Sequence, residues 1–280
     1  MADLAAVPDE ADITAIMNFK GGVGKTFLLQ LLLAELAKRK RHGKPRRLLA
    51  VDLDPQANLT RRLGISADDM AARLSVAEVF RDIDTHPDLI KQAILPCQWE
   101  EDFADNIDVL PSRIELGRFA EGGAGSWLRL RRALTAVAGD YTDILIDTPP
   151  GLAGLGQNAL CAGGRRGRVL FVTWPETDSI NGVRKIINFM NNPNEGKAIG
   201  AASEVMGVVT NFRHHNAKTH KTRAEEVVNV WGPLAWQPNV PQTIRIQESA
   251  SEFAEPPQKA GGDIVSVAEA LGDRYVKAVA

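Results

Sequence analysis

Short apolar runs recur along the chain, separated by stretches with helical spacing. The first, DITAIMN at residues 12–18, leads into a glycine-rich loop, beyond which Leu29, Leu32, Leu33 and Leu36 repeat with the period of a helix. This predicts strand, loop and helix in succession. The helix pattern gives way to KRKRHG, whose cations suit the negative end of a helix dipole and whose Gly43 suits a left-handed C-terminal residue. Further apolar runs lie at 46–56, 105–112, 141–150, 167–175 and 205–212, with a last candidate at 233–241. Most are continuous rather than alternating, so both faces of each strand are buried. That pattern predicts an α/β fold: a mainly parallel, twisted sheet with helices on both faces and ligands outside the carboxyl ends of the strands.

Composition narrows the picture without changing it. A chain of 280 residues with 44% hydrophobic composition can bury a substantial core, and one domain over residues 1–280 is a simpler reading than two small ones. No internal repeat appears. Residues 1–10, 191–197 and 254–262 are the segments whose composition suits flexibility. With 33 Lys and Arg against 35 Asp and Glu, the net charge of -2 gives no global field for nucleic acid or membrane, so any such binding is local. Cys97 and Cys161 lack metal-ligand spacing and read as buried thiols of a reducing compartment. The first ten residues show no secretory pattern, and no run approaches the roughly 18 apolar residues of a membrane span. The expectation is a soluble cytoplasmic protein.

The stretch NFKGGVGKTF, residues 18–27, carries the strongest chemistry. Gly21, Gly22 and Gly24 remove side chains where backbone N–H groups must approach phosphate oxygens, and the helix beginning near Lys25 adds its positive end. Lys25 and Thr26 stand where a phosphate-binding loop places its lysine and its magnesium-binding hydroxyl, with Val23 and Phe27 filling out the loop. The ordinary pattern fails at its first glycine, where this chain has Phe19, and a second lysine, Lys20, follows at once. At the end of the next apolar run, Asp52 and Asp54 are two apart and hence on one side of an extended chain. Asp147 ends the run ILID. The three acids are expected to converge on one cation beside the loop.

The set KGGVGKT, VDLDPQANLT and ILIDTPPG, in this order, resembles the deviant Walker-A ATPases of the ParA/MinD group, a branch of the SIMIBI-type P-loop NTPases, and most closely the ParA (Soj-like) branch. The resemblance covers nearly the whole chain. It implies ATP and Mg2+ as cofactors and a homodimer that sandwiches two ATP molecules. In that arrangement Lys20 is the signature lysine that reaches the partner's nucleotide, as an arginine finger does. It further implies that Lys25 binds the β- and γ-phosphates, that Thr26, Asp52 and Asp147 hold magnesium, and that Asp54 orients the attacking water. Asn211 in VVTNF corresponds to the residue that reads adenine, and Pro241 in NVPQT to the segment closing over the base. Phe19, Phe27 and Gly151 depart from the family's commoner glutamine, threonine and serine, departures that bear on hydrolysis rate rather than nucleotide binding.

Between Glu204 and Glu225 there is no acidic residue, while Arg213, Lys218, Lys221 and Arg223 occur there with three of the five histidines. Such a stretch suits non-specific contact with a DNA backbone, or a solvated loop and helix start. The resemblance favours DNA, because ParA-like dimers bind the nucleoid through basic residues late in the chain. It also implies a ParB-like centromere-binding or cargo-adaptor partner that stimulates slow hydrolysis, and a nucleoid-associated location. A MinD-like alternative would use the C-terminal stripe Ile264, Val267, Ala268, Leu271 and Tyr275 on a membrane, but its other face mixes Asp263, Glu269 and Asp273 with Arg274 and Lys277. A core-docking helix is the expectation there, and no membrane partner. An iron–sulfur reductase is disfavoured because neither cysteine lies in that family's glycine-rich cluster motif. A slow ATP-dependent binding switch remains the third alternative.

Overall fold

The structure, a computed structural model, describes residues 11–123, 125–201, 204–211, 218–241 and 255–280. Among the described residues ten strands form: β1 Asp12–Met17, β2 Lys40–Arg41, β3 Lys44–Pro45, β4 Leu48–Asp52, β5 Leu95–Pro96, β6 Ile107–Leu110, β7 Asp143–Asp147, β8 Arg168–Thr173, β9 Glu204–Asn211 and β10 Ala235–Val240. Eight of them make one sheet in the order β10-β9-β8-β1-β7-β4-β6-β5. Every pairing in it is parallel except β5 with β6. The seven expected apolar runs are all strands of this sheet.

Alternate residues of each central strand feed separate cores on the two faces. Ile16, Leu48, Ala50, Leu145 and Leu170 pack with the helices Lys25–Leu36 and Asp263–Val279. Ala15, Met17, Leu49, Val51, Ile146 and Phe171 pack on the other side with the helices Val76–Asp82, Gly154–Cys161 and Thr177–Asn191. Strand side chains alternate faces, so a strand covered twice must be apolar throughout.

The helix Lys25–Leu36 is buried on all sides rather than on one stripe, because the C-terminal helix covers its outer face. The residues that do this are Ile264, Val267, Ala268, Leu271 and Tyr275, all buried, and the Tyr275 hydroxyl meets Thr14 Oγ1 at 3.2 Å. The C-terminal stripe is thus consumed in the core, as expected. Among the described residues, no helix is long and apolar enough to cross a membrane.

One local expectation is corrected. The helix ends at Leu36, before the basic run, and Gly43 instead forms the turn of the β2–β3 hairpin with His42, at φ of 80° and 50°. Two successive positive φ values in a two-residue loop make the turn whose twist matches antiparallel strands. Residues 191–197 form hydrogen-bonded turns, with Gly196 N–H donating to Phe189 O (3.1 Å) and Lys197 N–H to Asn192 O (3.2 Å). Of 254–262, the described part holds a short 3-10 helix, Pro257–Ala260, in which Gln258 Nε2 donates to Leu31 O at 3.2 Å.

Candidate nucleotide site

The loop between β1 and the helix Lys25–Leu36 lies at the carboxyl edge of the sheet. Gly22 and Gly24 have φ of 73° and 92°, in the left-handed region open to glycine. At Gly24 a side chain is excluded twice, since a Cβ there would lie 2.1 Å from Asn211 Nδ2. The helix's own bonding begins when Leu28 N–H donates to Gly24 O at 3.0 Å, so the preceding N–H groups of Lys25, Thr26 and Phe27 have no helical acceptor. Gly21 and Gly22 are exposed, whereas Val23 is buried and the Phe27 ring lies in the core, leaving Phe27 only its main chain for a ligand.

Beneath the loop, Asp52 and Asp147 are the last residues of β4 and β7 and sit opposite each other in the parallel register. Asp147 accepts from Thr26 Oγ1 through Oδ2 at 2.6 Å and from Thr148 N–H through Oδ1 at 3.1 Å. Asp52 accepts from Thr60 N–H (2.8 Å), from Thr60 Oγ1 (2.7 Å) and from Asp54 N–H (3.1 Å). Both carboxyls are completely buried. Burial first, and then the charge of Asp147, pushes Asp52 up to about 7. Burial likewise raises Asp147 to about 6, against the opposing Thr26 bond and the Lys25 charge. Lys25 is itself buried, which lowers its pKa, while Asp147 and Asp54 pull it back up. Two facing carboxyls that resist ionisation even with the Lys25 and Arg62 cations close enough to act on Asp147 fit a divalent cation, whose charge would let both ionise.

Asp54 departs from the expected arrangement. Among the described residues no group of three or more His, Cys, Asp and Glu could hold a metal, so the three acids do not converge on one point. The reason is that β4 ends at Asp52. The chain then turns, Asp54 Oδ1 accepts from Gln56 N–H at 2.9 Å, and two-residue spacing no longer means one face. Asp54 stays close enough for its charge to act on Lys25. Magnesium commonly takes only one or two protein carboxylates and completes its shell with water and phosphate oxygens, so Asp52, Asp147 and Thr26 suffice chemically.

Asn211 ends β9 and is buried, its Nδ2 donating to Val23 O at 3.0 Å. It therefore clamps the loop from below. Pro241 is buried and follows Val240, the residue paired with Asn211. Lys25 Nζ lies 3.5 Å from Lys20 O, whereas the Lys20 side chain has partners of its own. Its Nζ lies 2.6 Å from Glu176 Oε2 and 5.5 Å from the centre of the Trp174 ring. Asn18 fixes this segment, accepting from Lys20 N–H (2.8 Å) while its Nδ2 donates to Val172 O (2.6 Å) and Ser179 Oγ (3.0 Å). Beside it Phe19 is 40% exposed, with Lys185 Nζ 5.1 Å from the centre of its ring.

Two lysines, two strand-end acids and the N-terminal end of a helix thus lie together at the carboxyl edge of the sheet. A family profile described as an AAA domain (AAA_31) matches residues 11–198. The chain is 30% identical over 245 residues to the sporulation initiation inhibitor protein Soj of Bacillus subtilis, covering 85% of this chain and 87% of Soj. The chain belongs to the ParA family of P-loop ATPases. Its fold is similar to that of apo McdA from Cyanothece, with a TM-score of 0.76, 17% identity and coverage of 95% of this chain and 99% of the other. It is also similar to cobyrinic acid a,c-diamide synthase from Mycobacterium smegmatis, solved with an ATP analogue and magnesium, with a TM-score of 0.66, 27% identity and coverage of 83% and 88%.

For a ParA-family chain, several of the residues that shape this site escape motif reading. Thr60 links Asp52 to Ser112, whose N–H donates to Thr60 Oγ1 at 2.9 Å, and its only signal was its place in VDLDPQANLT. Glu176 and Trp174 follow β8 at the same carboxyl edge, where a charged residue at a strand-to-helix turn was the available sign. The basic stretch is only partly described. Arg213 lies outside the described residues, Lys218 and Lys221 stand on the helix Lys218–Trp231, and Arg223 Nη1 donates to Thr177 Oγ1. Arg223 is therefore engaged and half-buried in this state rather than wholly presented to solvent.

Proposed function

We propose that this single-domain protein is an ATP- and magnesium-dependent DNA-partition or cargo-positioning ATPase that dimerises around ATP, binds DNA without sequence preference and is released when a partner stimulates hydrolysis. The observation that carries this reading is the division of labour between the two lysines. Lys25 is buried toward the strand-end acids, while Lys20 projects from the mouth of the same loop with its side chain 35% exposed. One ammonium would serve a nucleotide in its own subunit, and the other, once it leaves Glu176, would serve a second subunit.

The N–H groups of residues 21–27 and Lys25 would receive the phosphates, and Thr26, Asp52 and Asp147 would hold the magnesium. Magnesium held by these residues would neutralise charge that develops on the phosphates during transfer. Asp54, free of the paired strand ends, would orient water. Lys20 would add positive charge from the facing subunit, tying hydrolysis to dimerisation. Asn211 and Pro241 border the place for the base. Arg213, Lys218, Lys221 and Arg223 would supply the DNA contacts, doubled in the dimer. A ParB-like adaptor is the partner this scheme requires for release, with the nucleoid as the resulting location.

The test is binding to random-sequence duplex DNA and, separately, to anionic vesicles, with ATP or ADP across a salt series. ATP-dependent, salt-sensitive DNA binding is expected, and replacing the four basic residues should flatten the salt dependence. Binding to vesicles but not to DNA would refute the partition reading in favour of a MinD-like one. Lys20→Ala should keep nucleotide binding by the monomer and lose the dimer. A Lys20→Ala protein that dimerised and hydrolysed ATP normally would remove the role given to that lysine.

A further inference from the structure

The ion pair between Lys20 and Glu176 joins residues that are 156 positions apart and belong to different elements. Glu176 stands immediately before the helix Thr177–Asn191, in extended conformation at φ -134° and ψ 142°, and this helix is anchored to the loop by Asn18. Trp174 contributes its ring face to the same ammonium. Lys20 is thus held by its own subunit through a carboxylate and a ring, in a geometry that nothing about phosphate binding in that subunit requires.

We propose that Glu176 is a positioning residue that stores Lys20 on its own subunit and sets the threshold for forming the ATP dimer; this rests on the sandwich reading above. An ammonium paired with Glu176 cannot at the same time pair with a phosphate of the facing subunit. Dimerisation must therefore break this contact once in each protomer. The exchange is feasible because both partners are partly hydrated, with side chains 35% and 36% exposed, so breaking the pair does not strand a buried charge. After release, the Glu176 carboxylate remains at the positive end of the helix Thr177–Asn191, which lowers the penalty for leaving it without Lys20. The contact is strong enough to disfavour a stray encounter and weak enough for a nucleotide phosphate to overcome.

Removing the carboxylate should therefore tighten the dimer. An exposed ion pair shifts an equilibrium by up to about fivefold, and two pairs open per dimer, so Glu176→Gln should lower the dimer dissociation constant by up to about 25-fold. The experiment is analytical ultracentrifugation of the full chain and of Glu176→Gln, each with magnesium and a non-hydrolysable ATP analogue. Alongside it, amine-specific labelling of the nucleotide-free proteins is read at Lys20 by peptide mass spectrometry. A tighter dimer together with severalfold faster labelling of Lys20 in Glu176→Gln is the expected result. A wild-type dimer that Glu176→Gln leaves unchanged or weakens would overturn the proposal while sparing the sandwich. Labelling of Lys20 at the wild-type rate would also overturn it, since that readout needs no dimer. If neither protein dimerised, the sandwich reading itself would fall.

Discussion

Replacing Asp52 with asparagine should stabilise the nucleotide-free protein at pH 8, although the residue belongs to the proposed metal site. The Asp52 carboxyl is raised from 3.8 to about 7, chiefly by burial and then by Asp147. Between those values the folded protein keeps a proton that the unfolded chain releases, so stability falls as pH rises through that window. The contribution is fully present below about 3.8 and lost above about 7. At about 1.4 kcal/mol per pH unit, the destabilisation at pH 8 is capped near ~4 kcal/mol. Asparagine removes the charge but not all of the bonding. Its carbonyl oxygen can still accept both Thr60 donors, whereas its NH2 group would face the Asp54 N–H now bonded to Oδ1 at 3.1 Å. Leaving that donor unpaired costs roughly 1–3 kcal/mol. The net expectation is a gain of up to about 1–3 kcal/mol at pH 8 and a difference near zero at pH 5, where roughly a third of the window between the unfolded and folded values has been crossed. Urea unfolding followed by tryptophan fluorescence, without nucleotide or magnesium, measures both. An Asp52→Asn midpoint at or below wild type at pH 8, or a difference independent of pH, would refute the electrostatic account of this site.

Thr60→Val should cost about 2–4 kcal/mol, because it removes a bond to Asp52 and leaves Ser112 N–H without its acceptor. Thr60→Ser should restore most of that stability, and equal unfolding midpoints for Val and Ser would show that the hydroxyl contributes nothing. Away from the site, Gly207→Ala would put a Cβ 2.0 Å from Trp236 Nε1, which donates to Met206 O at 3.1 Å. The forced shift of the indole should destabilise by about 3 kcal/mol, and an unchanged thermal midpoint would contradict the packing of β9 on β10. Lys25→Ala should abolish ATP binding measured by calorimetry. Asp54→Ala should retain ATP binding and the dimer while phosphate release stops, and normal turnover would move the water-orienting role elsewhere.

The strands and the loop were legible in the sequence for a local reason. A parallel strand covered on both faces needs apolar residues on both sides, so β1, β4, β7 and β8 read as unbroken runs. A phosphate cradle needs its glycines, lysine and hydroxyl within a few consecutive residues, so Gly21 through Thr26 announced themselves together. The two-residue strand β5 carries too little pattern to be read, and it pairs only at the antiparallel edge. Gly43 was read as a helix cap because a left-handed glycine serves equally in a hairpin turn, and which one forms depends on whether Lys40 and Arg41 find strand partners.

What sequence alone determined was therefore the seven long strands and the loop after β1, the α/β class and the chemistry available at strand ends. Tertiary structure decided the rest through contacts between residues far apart in the chain. The order β8-β1-β7-β4 brings Asp52 opposite Asp147, and the placing of β9 beside β8 brings Asn211 Nδ2 to Val23 O across 188 positions. The C-terminal helix covers the outer face of the helix Lys25–Leu36, whose leucines are spread around its whole circumference. The position of Asp54, off the line of the other two acids, follows from β4 ending two residues earlier. Lys20 rests on Glu176 because β8 lies next to β1 in the sheet. Periodicity records which faces a segment buries, but it does not record which segment buries them, and every such pairing is settled by the packing of the whole chain.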